Sequence, residues 1–168
     1  IKNTEGQFDV VGVSAVVSTA YAYTKRLARL VRSVSPDAQI IVGGGLAASA
    51  ETILRKCDVD ICVSGDGEIV IQELLDVLAD DAGNIERLKA VRGIGFLDGD
   101  RFHFTGHGAA PTAEDIEWPD FGILEADGSL QHFIGDDLDL FYGRVTQDES
   151  KGKKIATVIS TKGCVARC

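Results

Sequence analysis

The chain contains no methionine, and its first residue is Ile1. Lacking an initiator and any internal Met, these 168 residues are expected to be a fragment of a longer polypeptide. No apolar run approaches the roughly 18 residues that a membrane-spanning helix needs. The opening Ile1-Lys2-Asn3-Thr4-Glu5 is neither a signal nor a transit peptide. Positive charge is in deficit: 17 Lys and Arg stand against 26 Asp and Glu, for a net charge of −9. That balance argues against a nucleic-acid backbone as partner. No internal repeat or low-complexity tract interrupts the chain. Four cysteines without a secretion signal point to a reducing, cytoplasmic setting, with metal or packing roles rather than disulfides.

With 45% apolar and 26% charged residues, the composition is that of a globular domain plus an appendage. Gln39 to Val42 is a short β-branched run that Gly43, Gly44 and Gly45 end abruptly. A parallel strand buried on both faces reads as such a continuous run. Similar runs lie on either side, at Asp9 to Ser14 and Asp60 to Val63, and each ends in small or polar residues. The expectation is a parallel sheet with Ile40 to Val42 as the middle of three strands. Its loop ends lie on one edge, where open α/β folds bind ligands.

Helical spacing is expected from Thr19 to Val34. There Tyr23, Leu27, Leu30, Val31 and Val34 form the apolar set, and Lys25, Arg26, Arg29 and Arg32 face out. Ser18 or Thr19 is placed to cap it. Further helices are expected over Ala48 to Lys56, over Gly67 to about Leu78, and over Ile85 to Val91 behind Asn84. Ile94 to Phe96 and Phe102 to Phe104 alternate about Asp98-Gly99, a hairpin signal. Residues 105–154 are rich in Gly and Asp and weakly periodic, with Trp118-Pro119 as an anchor. Lys154 to Ser160 reads as a new strand. Three parallel strands are few for such a sheet, and the apolar strand at Asp9 to Ser14 calls for a neighbour that these residues do not supply. His103, His107 and His132 read as hairpin and linker residues. Cys57 and Cys62 read as small buried apolar ones.

The chemistry-bearing signal is Cys164 and Cys168, spaced C-x3-C in a glycine-introduced loop after a strand. Thiolates so spaced converge on one metal centre. By spacing alone, an iron–sulfur cluster, zinc and no metal at all stay open.

Ser160-Thr161-Lys162-Gly163-Cys164-Val165-Ala166-Arg167-Cys168 resembles the opening of a radical S-adenosylmethionine domain. That family's motif is C-x3-C-x2-C. Its third cysteine would fall three residues after Cys168, beyond the last residue here. Upstream, Ser14-Ala15-Val16 resembles the S-x-L of cobalamin-binding domains, with Val for Leu. The 26 residues 17–42 separate it from Gly43-Gly44, as in that family. Asp60 to Glu68 resembles the D-x-V-V-x-G-E-G-E segment of cobalamin domains fused to radical S-adenosylmethionine domains, with Asp66 for the first Glu. The D-x-H-x-x-G element is absent.

The resemblance therefore implies a Rossmann-like, flavodoxin-like α/β sheet truncated to its second half over residues 1–92. A hairpin and irregular linker over 93–153 and the first strand of a radical S-adenosylmethionine barrel over 154–168 would follow. It implies a [4Fe–4S] cluster held in part by Cys164 and Cys168, with S-adenosylmethionine and cobalamin as cofactors. Ser14, Val16, Ser18, Gly43, Gly44, Gly45, Gly65, Asp66 and Gly67 are implied around the cobalamin. The implied partners are a small-molecule substrate and a reductant such as flavodoxin or ferredoxin. Two other readings follow from the residues alone: a non-catalytic cobalamin or nucleotide carrier, and a glycosyltransferase-like half facing a sugar nucleotide.

Overall fold

The computed structural model describes residues 8–81, 83–109, 111–112, 114–115, 120–135 and 155–156. Ile1–Glu117 and Trp118–Cys168 form two compact units. In the first, strands β1 (Val10–Ser14), β2 (Gln39–Gly43), β3 (Ile61–Val63), β4 (Ile94–Asp98) and β5 (Arg101–Phe104) form one sheet in the order β1-β2-β3-β4-β5. The first three run parallel with β2 in the middle, as the three apolar runs predicted.

The helices divide between the two faces. Ile40 and Val42 of β2 are fully buried with Ala28 and Val31 of α1 (Tyr21–Val34) and Ile53 and Leu54 of α2 (Ala50–Lys56). Ile41 points to the other face. It packs there with Val70, Leu74 and Leu78 of α3 (Gly67–Asp81) and Leu88 of α4 (Ile85–Ala90). Strand β2 is thus covered on both sides, which is why its sequence does not alternate. Asn84 caps α4 as its sequence position predicted: its Oδ1 accepts from the Arg87 N–H at 3.1 Å.

Three expectations change. The hairpin β4–β5 is not a separate appendage. It continues the sheet, with β4 antiparallel to β3 in the register Ile61↔Phe96, Cys62↔Gly95 and Val63↔Ile94. Burial explains the join, since Ile94 and Phe96 complete the core beside Ile61 and Val63. The buried face of α1 is Thr24, Ala28 and Val31, whereas Tyr23, Leu30 and Val34 are exposed. Small residues at 24 and 28 let the helix sit close on the sheet, so the larger apolar stripe turns to the side. Neither Ser18 nor Thr19 caps α1: a 3-10 turn, Ser18–Ala20, leads into it without a side-chain cap.

The amino ends of β2 and β3 are tied by one carboxylate. Asp60 Oδ2 accepts from the Ile40 N–H at 2.7 Å and from Arg32 Nη2 at 2.6 Å. Arg32 Nη1 meanwhile donates to the Pro36 and Ala38 carbonyls at 2.7 and 2.8 Å. The Arg32–Asp60 pair therefore fixes the end of α1, the following turn and two strands. Asp60→Ala leaves the Ile40 N–H and the guanidinium without their acceptor. A cost of about 2 kcal/mol is expected, read as a lowered midpoint in chemical denaturation.

The second unit contains α5 (Gly122–Ala126), a 3-10 turn at Ser129–Phe133 and the short antiparallel pair β6 (Ile134–Gly135) and β7 (Ile155–Ala156). Strand β7 falls inside the segment expected to be extended. Trp118, Pro119, Cys164 and Cys168 lie outside the described residues.

Candidate functional site

Register places the loop ends. Ser14 pairs with Gly43, and Val42 with Cys62, so β1, β2 and β3 finish together at one edge. Two loops are stitched to each other there. The Ala15 N–H donates to the Gly43 carbonyl and the Leu46 N–H donates to the Ala15 carbonyl, both at 2.9 Å. Ala15 is buried, while Ser14, Val16, Val17 and Ser18 are exposed.

The three glycines at the end of β2 divide into two jobs. Gly44 has φ +86° and ψ −174°, a region essentially reserved for glycine. A Cβ on it would stand 2.7 Å from the Ala15 carbonyl oxygen. Gly45 likewise abuts the Val16 carbonyl. These two glycines let one loop backbone lie on the other. Gly43 differs: no described atom stands within 4 Å of where its side chain would be. The same holds for Gly65, at φ +92°, and for Gly67 at the start of α3. Asp66 lies between them, exposed.

The edge is therefore a shelf with open space above Gly43, Gly65 and Gly67. Hydroxyls at Ser14 and Ser18 and two apolar side chains flank it. Val16 is 71% and Val17 55% exposed, two adjacent apolar side chains displayed beyond the end of a half-buried strand. Val17 was not among the residues singled out from sequence, although two adjacent valines beyond the end of a strand are a readable signal. At these three glycines the backbone is open to close approach by a ligand.

The remaining candidates take structural roles. Cys57 and Cys62 are buried in the core on the α1 and α2 side. Burial pushes the Cys62 thiol up to about 12, which keeps it protonated and unreactive. Burial also pushes the Cys57 thiol up, partly offset by a hydrogen bond with Tyr21. His103 stacks on Phe96 with ring centroids 5.2 Å apart, its Nε2 3.9 Å from the Asp98 carboxylate. His107 stands edge-on to Phe104, and His132 is exposed in the second unit. Among the described residues no three His, Cys, Asp or Glu side chains cluster to hold a metal. No described helix is long and apolar enough to cross a membrane.

Residues 3–75, which contain the shelf and all three parallel strands, match the family described as B12 binding domain. Those residues are thus similar to a B12 binding domain. Two curated relatives are also similar to the chain. Over 128 residues it is 34% identical to the anaerobic magnesium-protoporphyrin IX monomethyl ester cyclase of Cereibacter sphaeroides, covering 73% of this chain and 20% of that one. Over 93 residues it is 29% identical to an uncharacterized methyltransferase of Pyrococcus horikoshii, covering 54% and 19%. The chain thus spans about a fifth of the length of the curated relatives it matches.

Proposed function

We propose that this B12-binding domain serves a radical S-adenosylmethionine enzyme, and that the carboxyl edge of its sheet holds the cobalamin. The observation that carries the reading is the open shelf above Gly43, Gly65 and Gly67, within a segment of the matching family. Gly43 and Gly65 let backbone approach the ligand, and Ser14 and Ser18 offer hydroxyls to its polar periphery. Val16 and Val17 offer apolar surface and exclude water from the side they cover. Gly44 and Gly45 act one step back, by holding the Val16 loop in place. Asp66 and Gly67 shape the third loop at the amino end of α3.

Cys164 and Cys168 are proposed to supply two of the three thiolates of a [4Fe–4S] cluster. Bound, the cluster and cobalamin would supply an electron for reductive cleavage of S-adenosylmethionine and a transferable methyl group. The two relatives are named a cyclase and a methyltransferase. The proposed reaction class is accordingly radical methyl transfer or ring formation on a small molecule, with electrons from a flavodoxin- or ferredoxin-type protein.

The site is tested at Gly43. Because its Cβ direction is empty and its φ is ordinary, Gly43→Leu is expected to fold normally and to fill the ligand's space. In the complete polypeptide, hydroxocobalamin affinity, followed by the visible corrin bands, should fall at least about 100-fold, a loss of roughly 3 kcal/mol. The melting temperature should stay unchanged. A Gly43→Leu protein that binds cobalamin as the parent does would remove the shelf from the reading.

A further inference from the structure

The carboxyl edge of the sheet continues past the three parallel strands. Strand β4 starts beside the end of β3, and β5 returns to finish at the same edge, in the registers Val63↔Ile94 and Gly95↔Phe104. Arg92 and Gly93, just before β4, and Thr105 to Gly108, just after β5, therefore stand in line with the Gly65 loop. A hydrogen bond joins the two: the Ser64 N–H donates to the Gly93 carbonyl at 2.8 Å.

This stretch of edge is tightly built. Thr105 is tied to Ile94 through both backbone and side chain. Its N–H and its hydroxyl donate to the Ile94 carbonyl at 3.0 and 3.1 Å, and its Oγ1 accepts from the Ile94 N–H at 3.0 Å. The chain then doubles back across Gly93 to α3. A Cβ on Gly93, at φ +93°, would stand 3.1 Å from the Gly108 nitrogen, and one on Gly108 would stand 2.8 Å from Val70 Cγ2. Gly106, at φ +86°, makes room for a side chain. Nη2 and Cζ of Arg92 lie 2.8 and 3.1 Å from where its Cβ would be, so the guanidinium lies on bare backbone.

Arg92 is exposed and makes no ion pair or hydrogen bond among the described residues. In a chain of net charge −9, no described carboxylate pairs with it. His107, next to Gly106, is exposed as well, and its ring stands edge-on to the exposed Phe104 with centroids 5.5 Å apart. One edge thus carries open glycines, then a cation held in place, then an imidazole against an aromatic ring.

We propose that Arg92 and His107 form an oxyanion subsite at the end of the shelf, for a carboxylate or phosphate of a small molecule that also lies against Phe104. It rests on the cobalamin reading only for what occupies the neighbouring glycines. A guanidinium fork pairs with two oxygens at once, and its seat on Gly106 lowers the cost of ordering it when the anion arrives. Gly106 lies two strand spacings, about 10 Å, beyond Gly65. A group bound there sits beside a ligand on the glycine shelf, where a second reactant would be placed. The substrate class of the proposed enzyme is accordingly an anion with an apolar or aromatic body.

Calorimetric titration of the complete polypeptide with inorganic pyrophosphate, with and without bound cobalamin, tests this. The parent is expected to bind pyrophosphate with millimolar or better affinity. Arg92→Ala should bind it at least about 10-fold more weakly at an unchanged melting temperature, with Arg92→Lys between the two because it lacks the fork. Hydroxocobalamin and cobinamide, which lacks the phosphodiester, separate the two sources of the anion. With a substrate anion at the rim, pyrophosphate binding survives cobalamin loading and Arg92→Ala keeps the parent's cobalamin affinity. With the cobalamin phosphodiester there, cobalamin but not cobinamide blocks pyrophosphate, and Arg92→Ala weakens cobalamin alone. A parent that binds no pyrophosphate, or an Arg92→Ala protein that binds it equally well, would overturn the subsite. So would a lowered melting temperature with unchanged affinity, which marks a purely structural arginine. A parent that takes up no cobalamin would refute the shelf, while the pyrophosphate titration of the unloaded protein still decides the rim.

Discussion

Changing Cys164 and Cys168 together to alanine should abolish the iron–sulfur chromophore of the complete, anaerobically reconstituted polypeptide. Reductive cleavage of S-adenosylmethionine should vanish with it. A cluster anchored by three thiolates does not survive on one, so the expected loss is total rather than graded. The other two cysteines offer no rescue. Cys62 is 1% and Cys57 8% exposed, both within the apolar core, and burial holds the Cys62 thiol protonated up to about 12. Cys62→Ala is therefore the control, expected to keep full iron content. Broad visible absorption surviving the double substitution would sink the assignment. Zinc bound without iron would move Cys164 and Cys168 to a structural metal site. Cobalamin binding at the shelf is expected to persist in the double variant, since it rests on other loops.

The largest expected effect of a single added methyl group is at Gly44. Alanine there would have to hold a backbone conformation that costs roughly 1–3 kcal/mol outside glycine. Its Cβ would also stand 2.7 Å from the Ala15 oxygen. That oxygen cannot yield freely, because it accepts from the Leu46 N–H at 2.9 Å. The combined cost is put at about 3 kcal/mol or more, a large part of the 5–15 kcal/mol of an ordinary domain. Chemical denaturation should show a sharply lowered midpoint for Gly44→Ala and almost none of that loss for Gly43→Ala. Cobalamin affinity should fall too, because the Val16 loop is displaced. Equal stability of the two variants would mean that the stitched loops are not a fixed element.

The same pair of glycines shows where sequence reading stops. In sequence, Gly43, Gly44 and Gly45 are indistinguishable, and all three were placed around the ligand. Only backbone geometry separates the one with open space from the two pressed on a neighbouring loop. The three parallel strands were legible because burial on both faces writes itself as uninterrupted β-branched residues, as at Ile40 to Val42. Asn84 was legible because a cap is a local contact. The place of the hairpin was not, since its pairing with β3 joins residues some thirty apart by burial rather than by any local signal. The buried face of α1 was read only in part, for a related reason: Val31 is buried and Leu27 packs against the core, but Tyr23, Leu30 and Val34 are exposed. Thr24 and Ala28 enter the core because they are small, and a search for large apolar side chains passes over them.

Strands β1 to β5 stand in the sheet in the order in which they occur in the chain. For a polypeptide emerging from the ribosome, each new strand then meets an edge already built by the one before it. Sequential neighbours keep contact order lower than an order with inserted strands would, and no strand of these five waits for a later one to be inserted beside it. The growing edge is always the most recent strand, open only while the next connection is being synthesised. Among the described residues growth on that side ends at β5, four residues long, which carries Arg101 and His103 in place of a continuous apolar run. A short, partly charged last strand offers a poor template to a neighbouring nascent chain. The order of the strands thus guards one side of the sheet on crowded polysomes as well as in the finished protein.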